Sequence, residues 1–372
     1  MNELTTERGF RLHNRGELVE VIPYLVGYRP VDSLVVVALA TDGTTVCLTT
    51  RVDLVDAAEP AVAKDLVAMA DRARADQLVL IVYGPKRGTS PELEDAEVGL
   101  LPYDDLVYDL VLVARKVGIG FLGAVYVADE RWWTYQPCLD ERCCRPEGTP
   151  METVGSRVAA EATYAGMTAL PDRESVAAAL EPIQGPNQVT MSAAVATAER
   201  ELVEAGESRS VRRWRAGVLT QLRGALERAS KGEVPWIADD TAARILVGLA
   251  DRVLRDHAWM WFESDPGGRW AAAEQLWRQM ARRAPEEYRG APLFLYAWAC
   301  WRGGDGVRAR IAVERSLSYD SNYPAALLLE EALHRGMDPR KVRPLLPRSG
   351  RHARSADAPL SRPGRRGRSG RA

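Results

Sequence analysis

The chain is short of the residues that make covalent and metal chemistry easy to recognise. Its 372 residues include five cysteines (Cys47, Cys138, Cys143, Cys144 and Cys300) and only four histidines. So few thiols, odd in number, exclude a disulfide framework and fit a reducing compartment. Lysine is nearly as rare, five residues against 44 arginines, a bias that a GC-rich genome explains more economically than selection for nucleic-acid binding. The longest strongly apolar run, Leu34 to Ala40, is far shorter than a membrane span. Met1 to Arg8 lack the charged-then-apolar order of a signal peptide. The expectation is a cytoplasmic protein without membrane contact. H-E-x-x-H, G-x-S-x-G and paired Cys–His spacings are also missing, so no catalytic signature is present, no cofactor is expected, and whether the chain is an enzyme stays open.

What is present suits two globular parts and a tail. Hydrophobic residues make up 46% of the chain, an ordinary globular share. The formal net charge of −2 hides an asymmetry: residues 348–372 hold eight arginines and one acid, leaving an acidic body with no reason to be a duplex-binding core. Apolar periodicity predicts helices at 15–26, 59–74 and 103–117. It predicts strands at 34–39, 45–52, 78–83 and 121–127, with 132–135 as a hairpin partner and Thr41-Asp42-Gly43-Thr44 as the first hairpin's turn. Strands alternating with helices imply an α/β domain over residues 1–150, a mixed sheet with parallel central strands covered by helices.

Past residue 150 strand signals vanish. Helices are expected at 151–167, 172–181, 188–205, 209–230, 238–262, 267–283, 291–303, 305–318 and 322–336, an all-α domain over 151–346. From about residue 238 the hairpins fall in a tetratricopeptide-like register, with Ala272 and Ala309 where two helices approach closely and Pro339 and Pro344 stopping a third unit. An ordinary helical bundle has similar spacing. The Arg-, Gly-, Ser- and Pro-rich segment 347–372 has no periodicity and is expected to be disordered.

Several motifs bear on chemistry. Gly118-Ile119-Gly120-Phe121-Leu122-Gly123 matches a dinucleotide fingerprint in letters only. It follows a helix and opens a strand, the reverse of the required order, so Gly118 reads as a helix cap. Tyr83-Gly84-Pro85-Lys86-Arg87-Gly88 leaves the carboxyl end of a central strand, where open sheets place ligands, and Lys86 and Arg87 are candidates for holding an anion. Arg51 and Asp53 end a neighbouring strand, Asp129 and Glu130 another, and all four are expected on the same rim. Charged strand ends also occur wherever a sheet meets solvent. Cys138, Cys143 and Cys144 are the only clustered soft ligands, a weak metal set that lacks a fourth ligand and fits loop packing or a redox-sensitive thiol better. Six tryptophans (Trp259, Trp261, Trp270, Trp277, Trp298 and Trp301) crowd the helical part, either filling joints between helices or lining a groove for a peptide.

The segments Gly16-Glu17-Leu18, Ile22-Pro23-Tyr24-Leu25-Val26-Gly27-Tyr28, Pro30-Val31-Asp32-Ser33-Leu34 and Arg51-Val52-Asp53-Leu54 lie in the first part of the chain, with Cys143-Cys144 and Val158-Ala159-Ala160-Glu161-Ala162 beyond them. On these the chain resembles an actinobacterial family catalogued as domain of unknown function 4192, over nearly everything except the tail. The resemblance implies the domain layout and a bacterial setting, and brings no activity, cofactor or active site. Where that family has Cys-Cys-Pro, Arg145 intervenes here. The leading functional expectation is a non-enzymatic adaptor or scaffold whose helical domain holds a protein partner. Its rivals are an anion-binding protein or enzyme using the rim at Arg51, Asp53, Lys86 and Arg87, and a nucleic-acid-associated protein whose basic tail binds polyanions weakly.

Overall fold

The structure, a computed structural model, describes residues 4–5, 11–12, 14–40, 42, 45–85, 101–136, 145, 147–151, 156–165, 167–206, 209–231, 237–264 and 270–342. Two short strands, β1 (Leu4–Thr5) and β2 (Arg11–Leu12), pair antiparallel ahead of helix α1 (Arg15–Val26). The Asn14 side chain caps α1 by accepting from the Glu17 amide at 2.9 Å, and Gly27 ends it at φ +82°, a conformation glycine adopts without strain.

A six-stranded sheet follows in the order β4-β3-β5-β6-β7-β8. Its strands are β3 (Ser33–Leu39), β4 (Val46–Asp53), β5 (Gln77–Tyr83), β6 (Gly120–Ala128), β7 (Arg131–Thr134) and β8 (Thr149–Pro150). The central pair β5–β6 is parallel, and every other neighbouring pair is antiparallel. The mixed sheet and the β3–β4 hairpin are as the sequence predicts.

Strand alternation sorts the core into two. Leu34, Val36, Ala38, Leu78, Leu80, Val82, Ala124 and Tyr126 point to one face, where α2 (Leu54–Ala57), α3 (Pro60–Arg72) and α4 (Asp104–Lys116) cover them. Val35, Val37, Val79, Ile81, Val125 and Val127 point to the other, against α1. Burial on both faces is why these strands read as unbroken apolar runs.

The second cluster continues without a break into the helical half. That half comprises α5 (Arg157–Tyr164), α6 (Arg173–Ala178), α7 (Pro186–Ala205), α8 (Arg209–Ser230), α9 (Asp239–Leu249), α10 (Arg252–Ser264), α11 (Trp270–Arg283), α12 (Gly290–Arg302), α13 (Gly306–Tyr319), α14 (Pro324–His334) and α15 (Pro339–Val342). The single helix expected at 238–262 is two, divided at Ala250-Asp251, where the Asp251 amide turns back onto the Gly248 carbonyl at 3.0 Å. Pro339 does not stop the chain's helical course. It opens the one-turn α15, a first position at which its missing N–H is no loss. No helix among the described residues is long and apolar enough to cross a membrane.

Two buried arginines fix the joints. Arg289, 3% exposed, donates to the Ala281 carbonyl at 3.2 Å, the Tyr319 hydroxyl at 2.5 Å and the Leu180 carbonyl at 3.4 Å. Arg283, 6% exposed, reaches the Ile237 carbonyl at 2.7 Å and the Asp239 carboxylate. The tryptophans fill joints. Trp277, Trp298 and Trp301 are buried, and Trp259, Phe294, Trp298 and Tyr323 meet edge to face where α10, α12 and the start of α14 converge. The Trp261 side chain lies outside the described residues.

Candidate functional site

The carboxyl ends of β5 and β6 lie at the same end of the sheet as the start of β3, because Ser33 pairs with Tyr83, and as the end of β4, because Ser33 also pairs with Asp53. Arg51, Asp53, Asp129 and Glu130 therefore share one rim. Lys86 and Arg87, which follow β5 in the sequence, lie outside the described residues, as do Cys138, Cys143 and Cys144. Among the described residues no group of three or more His, Cys, Asp or Glu is placed to hold a metal ion.

The backbone at this rim is unusual. Of the five non-glycine residues with positive φ among the described residues, four are here: Asp32 (+44°), Tyr103 (+65°), Asp129 (+48°) and Glu130 (+61°). Such conformations persist only where surrounding structure imposes them, and they gather at functional sites. Asp32 is held by hydrogen bonds on both sides, its amide donating to the Gly84 carbonyl at 3.1 Å and its carbonyl accepting from the Leu54 amide at 2.9 Å.

The rim side chains form two groups. In the first, Arg51 donates to the Ser33 hydroxyl at 2.8 Å and pairs with Asp53 at 2.6 Å, while Ser33 itself donates to the Val31 carbonyl. Burial raises the pKa of the nearby Tyr28 phenol, and the charges of Arg51 and then Arg173 pull it back down. Arg173, at the start of α6, is itself paired with Glu314 of α13 at 2.5 Å. Each cation in this group already faces a carboxylate. Arg51 and Asp53 come together as a pair rather than as open ligands.

The second group carries tyrosines and acids. The Tyr135 hydroxyl donates to the Pro102 carbonyl at 2.5 Å. Tyr126 lies against Gly84 so closely that a β-carbon there would sit 2.3 Å from its hydroxyl. Burial, reinforced by Tyr103, Asp129 and Asp32, pushes the Tyr126 phenol up to about 12. Tyr103 and Tyr135 shift upward for the same leading reason. These hydroxyls stay protonated across the physiological range, as hydrogen-bond donors beside carboxylates. The rim thus separates Arg51–Asp53 from Asp129 into different clusters. Sequence reading missed the tyrosine trio, Asp32, Ser33 and Arg173, because no local spacing links residues brought together from in and beside β3, β6, β7, α4 and α6.

The G-x-G-x-x-G letters span the turn from α4 into β6, with Gly118 at φ +83° just past the helix, so they cap and do not cradle phosphate. No curated protein and no solved structure matches the chain. A family profile described as "Domain of unknown function (DUF4192)" matches residues 16–340, from the second residue of α1 into α15. The chain belongs to the DUF4192 family.

Proposed function

We propose that the chain is a cytoplasmic, non-enzymatic adaptor that holds a protein partner on its helical half in tetratricopeptide fashion. The observation that carries this reading is α14. Its inner side chains Ala325, Ala326 and Leu329 are buried, yet Leu327 and Leu328 on its outer side are 41% and 69% exposed. Two adjacent leucines on an exposed helix are the kind of apolar ridge a partner covers. Beside it a groove of about 250 Å³ runs between α13 and α14, lined by Val313, Leu333, Arg310, Glu314 and Glu330. An amphipathic helix with an apolar ridge and flanking charges of both signs fits such a surface. The buried Trp277, Trp298 and Trp301 do not line this groove. The cytoplasmic setting is supported by the scarcity of cysteine and by Cys47 and Cys300, neither of them in a disulfide.

The test is a comparison of partners retained by the full chain and by its Leu327→Asp/Leu328→Asp variant in the native host. A partner present with the first, absent with the second, at unchanged melting temperature, supports the adaptor. A partner retained equally by both removes α14 as the docking face.

A second reading, a small-ligand site at the sheet rim, is favoured by the clustering of Asp32, Tyr103, Asp129 and Glu130 at positive φ. With Arg51 and Arg173 already paired, the open chemistry is that of the Tyr103–Tyr126 side. A metabolite-induced rise in melting temperature that Tyr126→Phe abolishes would support it. A broad metabolite panel without any shift would sink it.

A further inference from the structure

The two edges of the six-stranded sheet are finished differently. At one edge β8 (Thr149–Pro150) is two residues long and ends in a proline, and short strands and prolines are means by which native sheets blunt an edge. At the other edge β4 (Val46–Asp53) runs for eight residues and holds neither proline nor lysine. Its one irregularity lies near its start, opposite Ala38 and Leu39, so the strand is regular from Leu48 to Asp53.

The direction of its backbone groups follows from the pairing. The Leu54 amide donates to the Asp32 carbonyl at 2.9 Å, which sets Val52, Thr50 and Leu48 in the hydrogen-bonded pairs with β3. The N–H and C=O groups of Thr49 and Arg51 therefore point outward, and among the described residues no backbone group meets them. Beside this edge, on the side covered by α3, Leu48, Val52 and Val62 are apolar and only half-buried. Val55, two residues past the strand, is 85% exposed.

We infer that β4 pairs antiparallel with β4 of a second copy of this chain, about a two-fold axis at Thr50. With Thr50 opposite its own copy, Thr49 of each chain faces Arg51 of the other, so the outward groups exchange hydrogen bonds. On the α3 side Leu48 of each copy meets Val52 of the other, with a threonine pair between them, combinations that stabilise antiparallel strands. On the opposite side no like charges stand directly opposite, and each Arg51 stays matched by its own Asp53 at 2.6 Å. An axis at Arg51 would set two arginines face to face, and one at Thr49 would set Leu48 against Thr50. A foreign strand would satisfy the backbone equally well; the self-complementary side chains single out a second copy. Pairing uses both β4 edges and leaves only the blunted β8 edges, so assembly closes at two. The edge is separate from α14 and stands or falls independently of the adaptor reading.

The experiment is sedimentation equilibrium of the full chain over a concentration series, expected to show a monomer–dimer equilibrium and no larger species. Thr49→Pro removes an N–H that β3 does not use, and Thr50→Lys sets two ammonium groups across the axis. Each is expected to raise the dimer dissociation constant about tenfold or more, with the circular dichroism of the folded chain retained. Thr50→Lys changes no backbone group, so it decides the matter if Thr49→Pro fails to fold. Mild oxidation should join the Thr50→Cys variant into a covalent dimer, because Cα atoms of such facing residues lie about 4.5 Å apart, within the span of a disulfide. The unmodified chain and Thr49→Cys should stay largely unlinked. A chain that is monomeric at every concentration overturns the proposal. If its Thr49 and Arg51 amides then become protected from hydrogen exchange only in extract of the native host, the edge belongs to a foreign strand. A dimer that neither variant weakens overturns it too, as does one dissolved by Leu327→Asp/Leu328→Asp instead, which assigns the contact to α14. Assembly that continues past two copies contradicts the closed pairing.

Discussion

Pro23 sits inside α1, where its missing N–H leaves the Val19 carbonyl without a helical donor. The Tyr83 hydroxyl, buried at the end of β5, donates to that carbonyl at 3.4 Å, so one residue's deficiency is met from the sheet beneath. Tyr83→Phe is expected to cost about 1 kcal/mol, because the carbonyl is left dry. In a Pro23→Ala background the restored amide takes over as donor, and the cost of Tyr83→Phe should shrink. Chemical denaturation of the four proteins of this double-mutant cycle checks it, and an undiminished cost would mean the two residues are not coupled. Arg289 carries more. Its guanidinium holds carbonyls from two segments and the Tyr319 ring at 5.1 Å, so Arg289→Ala should destabilise by about 2–4 kcal/mol. Lysine should not rescue it, since one ammonium group cannot span three partners set out in a fork. Equal melting temperatures for Arg289→Lys and the unmodified chain would contradict that geometry.

At the scale of the element, α13 shows why a helix face matters more than its propensity. Ala309, Ala312 and Ser316 are fully buried, and the Ser316 hydroxyl donates to the Gly290 carbonyl at 2.8 Å, so α13 lies close against the start of α12. Ala309→Trp should overpack that contact and cost about 1–3 kcal/mol, read as a lower denaturation midpoint. Two helices earlier, on α11, the small-residue contact is Ala273, fully buried, and not the half-buried Ala272 that spacing suggested. Between α7 and α9, Glu201 accepts two hydrogen bonds from Arg244 at 2.8 Å, and these hold its pKa below the ordinary carboxylate value. A depressed pKa contributes stability that is present above the unfolded value and lost as pH falls through the folded one. Both partners are about a third exposed, so Glu201→Gln should cost less than about 1 kcal/mol at neutral pH. That difference should vanish once acid has protonated Glu201 in the unmodified chain. A gap between the two melting curves that persists at low pH would show that the charge is not its source.

The whole molecule is joined through residues 156–183. Arg157 of α5 pairs with Glu17 of α1 at 2.8 Å, the Arg29 amide donates to the Leu170 carbonyl at 2.9 Å, and the Ile183 amide donates to the Arg282 carbonyl at 2.8 Å. Together with the apolar cluster running from the sheet into the helices, these contacts predict a single unfolding transition. Calorimetric and van't Hoff enthalpies should then agree, and two resolved peaks would contradict a shared core. Much of this architecture was legible in the chain. Two-residue and 3.6-residue periodicities are local properties, so β3, β5, β6, α3 and α4 follow from the order of apolar and polar residues alone. The scarcity of thiols, the arginine-rich tail and the reversed G-x-G-x-x-G order are likewise properties of the sequence. Which charges stay open is decided in three dimensions. Arg51 is met by Asp53 and Ser33, Arg173 by Glu314 and Arg289 by carbonyls, while Arg212 and Arg213 on α8 face solvent. The strained rim around Asp32, Tyr103 and Asp129 is likewise assembled from segments far apart in sequence, by strand pairings whose register no local pattern encodes. Sequence determines the elements because propensity and periodicity act over a few residues. Tertiary structure alone decides the sites, because a charge or hydroxyl acquires its role from partners that the fold brings to it.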